Sequence, residues 1–136
     1  MNNNLPEKYI RGILNSSYIC SGYLTQQIFL FSSSDHNTGY DESSINWCDD
    51  EKTIEFSMQQ KKETGEPLFG HGVAVLDTSA LKTCLKQYGN EINCERYPVE
   101  GNPYHGNLLI SKSTIKQIKN IILAQLLLGG KIIERN

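Results

Sequence analysis

The best strand in the chain is HGVAVLD, residues 71–77, in which Val73, Ala74, Val75 and Leu76 follow one another without a break between turn residues. Such a run predicts a strand covered on both faces. GNLLI, 106–110, predicts a second buried strand, and SINW, 44–47, a short one. EINCERYPV, 91–99, alternates imperfectly through Ile92, Cys94, Tyr97 and Val99, which suits a strand ending in a bulge or at its proline. YICSGYL, 18–24, has strand-type residues around a Ser-Gly turn, and QQIFLF, 26–31, reads as a strand or a short helix.

Helical spacing predicts four helices. Asn4, Pro6 and Glu7 supply a cap, an early proline and an early acid for a helix through KYIRGILN, with Tyr9, Ile10, Ile13 and Leu14 facing inward. Asp49 or Asp50 caps EKTIEFSMQQKK, and Thr78 or Ser79 caps ALKTCLKQY, which ends at Gly89. The last helix, about 113–128, follows Ser111 or Ser113 and carries Ile115, Ile118, Ile122 and Leu126 on one stripe. Gly129-Gly130 ends it, and KIIERN adds a short edge strand. Residues 32–44, SSSDHNTGYDESS, are a polar stretch expected as a surface loop, as is KETGEP, 62–67. The resulting order, α, β, β, α, β, α, β, β, α, predicts an α+β fold. It has a small mixed sheet and three to four packing helices in a single domain, 1–136.

Composition narrows the class. With 136 residues, 38% hydrophobic and 21% charged, the chain suits one domain with a sizeable core. A net charge of −2 provides no global field toward nucleic acid or anionic lipid. IKNIILAQLLLGG, 118–130, is too short to span a bilayer and reads as a core or interface helix. Cys20, Cys48, Cys84 and Cys94 form no CxxC pair; reduced, mostly buried thiols are expected. With no basic-then-apolar leader in MNNNLPEKY, a cytoplasmic location is expected.

Candidate chemistry centres on His71 and His105. Glycine adjoins each, as Gly70-His71-Gly72 and His105-Gly106, and each precedes a predicted strand. On neighbouring parallel strands both imidazoles would reach one sheet edge, as a general acid and base or a phosphate clasp. Asn102, Tyr104 and Asn107 would add neutral hydrogen-bonding groups, with Arg11 helping to position a substrate. The bland alternative is that Asn-Pro-Tyr-His-Gly is turn chemistry and His105 orders the turn. His36, in the polar loop, is expected to be solvated.

The acids Asp41, Glu42, Asp49, Asp50 and Glu51 match no calcium-loop spacing and read as helix-start charges; no metal site is assigned. Lys112, Lys116 and Lys119 read as a solvated helix face, so nucleic acid is not the favoured partner. There is no G-x-S-x-G elbow, no P-loop and no dinucleotide fingerprint, so no cofactor is implied.

The order of short motifs resembles a group of small uncharacterised bacterial proteins. They share an N-terminal arginine segment, a phenylalanine segment, a Ser-Val/Ile-Asn/Asp strand, a Gly-Val-Ala strand and an Asn-Pro-x-His turn. Here those are Arg11, Phe29, Ser44-Ile45-Asn46-Trp47, Gly72-Val73-Ala74 and Asn102-Pro103-Tyr104-His105. The resemblance implies an accessory role in a bacterial defence or toxin-type system and adds weight to the Asn-Pro-Tyr-His turn. Arg11 with Ser44 also resembles the ADP-ribosyltransferase pattern, whose late acid has no match here.

Two functions follow. The first is a non-catalytic binding or interaction module, a homodimer or complex subunit using the C-terminal helix, whose last turns carry Leu123, Leu126, Leu127 and Leu128. The second is a small enzyme acting on a nucleotide or phosphodiester through His71 and His105.

Overall fold

A computed structural model describes residues 5–135 of the chain. Its main sheet has seven strands: β1 (Lys8–Gly12), β4 (Ser32–Ser33), β5 (Tyr40–Cys48), β6 (Gly72–Asp77), β7 (Ile92–Arg96), β8 (His105–Ser111) and β9 (Lys131–Glu134). β2 (Ile19–Cys20) and β3 (Tyr23–Leu24) form a separate hairpin. The three helices are α1 (Glu51–Gln59), α2 (Thr78–Gln87) and α3 (Lys116–Leu126).

The sheet order is β7-β8-β5-β1-β6-β9, with β4 pairing the first half of β5. Every pairing is antiparallel, so the α+β class stands but the sheet is not mixed. One face packs Tyr9, Trp47, Leu76 and Leu108 against Leu81 and Cys84 of α2 and Ile122 and Leu126 of α3. The other face packs Ile10, Val73 and Val75 against Ile54 and Met58 of α1. All of Gly72–Leu76 is buried, as a strand covered on both faces requires.

The N-terminal segment is a strand, not the expected helix. Tyr9 and Ile10 serve opposite cores, and in a strand buried on both faces the apolar run loses the two-residue alternation that would have revealed it. Asn4, read as its cap, lies outside the described residues. The SINW strand grows to nine residues because Tyr40–Ser44 also pair with β8, despite their polarity. QQI, 26–28, is a single 3-10 turn. Asp50 caps α1 by accepting from the Lys52 N–H; Asp77, not the expected Thr78 or Ser79, caps α2 by accepting from the Ser79 N–H, so the helix starts at Thr78. α3 begins later than expected, after Ile115, with no side-chain cap.

β1 pairs with β5 only over Lys8–Ile10, whereas it stays on β6 through Gly12. β1 and β5 therefore part beyond Ile10. Arg11 fills the split: Nε donates to the Ile28 carbonyl at 2.7 Å, Nη1 to Ser44 at 2.7 Å and Nη2 to Leu30 at 3.4 Å. The guanidinium thus replaces the strand bonds that the divergence removes.

Candidate cleft beside the first helix

The split opens, on the α1 side of the sheet, into a cleft of about 470 Å³. Ile10, Arg11, Gly12, Ser44 and Asn46 line its base, Gln60, Leu68 and Phe69 one wall, and Val99–Asn102 with His105 the other. Four sequence-predicted site residues, Arg11, Ser44, Asn102 and His105, are thereby brought together.

The polar floor is a bonded network. Asn46 faces the cleft side because its neighbours Ile45 and Trp47 point into the α2/α3 core. Its Nδ2 donates to Ser57 Oγ of α1 at 2.8 Å and to Oε1 of Gln60, the residue that ends α1, at 3.0 Å. Its Oδ1 accepts from Asn102 Nδ2 at 2.8 Å. Asn102 Oδ1 accepts the Tyr104 N–H at 3.0 Å, closing an Asx turn. Upstream, Val99 and Asn102 exchange backbone bonds around Glu100-Gly101. The Asn-Pro-Tyr-His motif is therefore a turn whose asparagine is anchored to the adjoining strand.

His105 stands opposite Asn46, and its Nδ1 lies 2.8 Å from the Tyr97 carbonyl. A carbonyl only accepts, so Nδ1 carries the proton and the neutral ring presents the Nε2 lone pair. Cleft-lining side-chain groups without a partner among the described residues include His105 Nε2, Ser44 Oγ, Gln60 Nε2, the second N–H of Asn102 Nδ2 and one N–H on each terminal nitrogen of Arg11. Burial lowers the Arg11 pKa from its ordinary value, with the Tyr18 phenol acting weakly the other way.

The other predicted residues lie elsewhere. β8 and β6 are three steps apart across the sheet and run in opposite directions, so His71 and His105 do not share an edge. Those steps alone amount to roughly 14 Å. The exposed His71 is held by its backbone N–H on the Ile13 carbonyl. Tyr104 packs edge-on against Phe56, ring centres 5.1 Å apart. Asn107 is fully buried, donating to Glu95 Oε2 at 2.8 Å.

Two of the three glycines beside the histidines also serve the fold, while a Cβ at Gly70 would meet nothing. A Cβ at Gly106 would strike the Trp47 indole and the Glu95 carbonyl, and one at Gly72, at φ +102°, would strike the Ile133 carbonyl.

Sequence reasoning missed Asn46 and Gln60. An asparagine between Ile45 and Trp47 in a strand was the available signal, since a polar side chain there needs buried partners. It also missed His36, which is not simply solvated: its ring stacks on Tyr97 at 4.1 Å and its Nε2 bonds Glu95 at 2.8 Å. Among the acids, Asp49 pairs with Arg96 and Asp41 with Lys112, each a surface contact of small energetic weight. Lys119 lies over the Phe31 ring.

Comparison with protein families, curated proteins and solved structures finds no match to this chain. The resemblances read from its short motifs rest on those motifs alone.

Proposed function

We propose that the chain is a non-catalytic binding module whose ligand occupies the cleft beside α1. One observation carries this reading: the Asn46–Asn102 network fixes the floor while Ser44, Gln60 and His105, which line the same cleft, keep polar atoms without a partner among the described residues. Rigid polar groups within apolar walls are the usual make-up of a small-molecule site, and the volume falls in the usual range. Acid–base catalysis on a nucleotide or phosphodiester would need a second proton-transfer group in place of His71; Glu100 lines the same cleft but is exposed, and among the described residues it forms no hydrogen bond with His105.

The C-terminal helix as a partner surface has less support. α3 uses Ile122, Leu123 and Leu126 on its own sheet, leaving Ile121, and Leu128 just past its end, exposed. Four cysteines without a disulfide favour a reducing compartment such as the cytoplasm, and no described helix is long and apolar enough to cross a membrane.

The test is amide chemical-shift mapping with benzoate and benzamide, flat probes of one shape. Saturable shifts clustered at Gly12, Ser44, Asn46 and Asn102 are expected from at least one probe. Absence of clustered shifts with both overturns the reading.

A further inference from the structure

Arg11 is 91% buried, counting from its 9% exposure, and no carboxylate pairs with it among the described residues. Its three bonds are to neutral carbonyls. A buried cation without a counter-ion is costly, and an anion reaching it would gain more than at an exposed arginine. The residue lines the cleft, with an N–H left on each terminal nitrogen. The lining around it also carries Leu14, Leu68, Phe69 and Val99, of which Leu14 and Val99 are 46% and 42% exposed. Glu100, the other charged group lining the cleft, is exposed at its rim.

Resting on the binding-module reading, we propose that the natural ligand is an amphiphilic anion. Its carboxylate or phosphate head lies on Arg11 and accepts from Ser44 Oγ, while an apolar or aromatic body covers Leu14, Phe69 and Val99. The guanidinium supplies planar, charge-assisted donors to the anionic oxygens. His105, beside the head, supplies a further donor when protonated.

The experiment titrates the whole chain with benzoate, phenyl phosphate and benzamide, following the backbone amides and the Nε–H signal of Arg11. The 2.7 Å bond from that Nε–H to Ile28 should hold it in slow exchange. At least one anion should move this signal and the Gly12 and Ser44 amides saturably, about tenfold more tightly than benzamide. Whichever of the two anions binds more tightly identifies the head group. Arg11 variants risk unfolding the split, so the control is Leu14→Asp, an exposed site. It should weaken all three probes by removing an apolar contact they share, and the two anions about tenfold further through like charge. Benzamide binding at the cleft as tightly as both anions overturns the anion inference while the binding-module reading survives. If neither the anions nor benzamide moves the cleft signals, both readings fall.

Discussion

The indole of Trp47 lies across the bare α-carbon of Gly106 and donates Nε1–H to the Glu95 carbonyl at 3.0 Å. Trp47 is fully buried, and this bond satisfies its only polar atom. Gly106→Ala would push a methyl group into the indole and the carbonyl together. The expected loss is about 2–3 kcal/mol, as for other overpacked cores. Chemical denaturation followed by tryptophan fluorescence measures it; a midpoint matching wild type would mean that the strands move apart freely.

Arg11 should show a graded series. Arg11→Met leaves the carbonyls of Ile28, Ser44 and Leu30 without their donor, so a loss of about 3 kcal/mol or more is expected from the unsatisfied groups. Arg11→Lys keeps the charge but cannot fork to three sites, so its midpoint should fall between the two. Equal stability of Met and Lys variants would show that the fork geometry contributes nothing.

These two residues illustrate what the sequence makes legible. The strands at 71–77 and 106–110 and the helices after Asp50 and Asp77 follow from runs, caps and spacing, all local signals. β1 does not: Tyr9 and Ile10 at adjacent positions fit a helix stripe as well as a strand buried on both faces, and only the β5 and β6 partners decide. Arg11, Ser44, Asn102 and His105 could be singled out, but nothing local says that three separate segments meet at one cleft. Nor could Gly106 and Gly72 reveal that they accommodate Trp47 and Ile133 and not a ligand.

Glu95 links acidity to stability. Partial burial raises its pKa, but bonds from Asn107, His36 and Asn37 outweigh that and leave it below the ordinary carboxylate value. The native state thus takes up this proton at lower pH than the unfolded chain. The contribution is fully present above the unfolded value of about 4.3 and is lost as pH falls through the native one. Glu95→Gln should be less stable than wild type at pH 7, and the gap should narrow steadily in acid. Parallel stability curves down to strongly acidic pH would refute the linkage.

Thiol reactivity should divide the four cysteines. Cys20 is exposed, Cys48 half-buried, and Cys84 and Cys94 buried. Burial pushes the Cys84 and Cys94 thiols up to about 11, with Glu95 adding to the effect at Cys94. Cys48 is raised by burial and by Asp50 and Asp49. A disulfide reagent at pH 8 should therefore label Cys20 first, Cys48 more slowly, and the other two only on unfolding. Labelling of Cys84 at the rate of Cys20 would place α2 in frequent contact with solvent.

The sharpest prediction concerns one proton. Because the Tyr97 carbonyl can only accept, neutral His105 must be the Nδ1–H tautomer, with Nε2 unprotonated. The stacked His36 and Tyr97 rings help to hold that arrangement, since the Tyr97 ring also meets His105 edge-on at 6.3 Å. Long-range nitrogen–carbon correlation of the neutral ring should give a protonated Nδ1 and a bare Nε2. Tyr97→Ala should leave the tautomer intact, since the acceptor is backbone, while loosening the ring. A protonated Nε2 in the wild-type chain would mean that the Tyr97 bond is absent in solution and that His105 offers the cleft a donor in place of a lone pair.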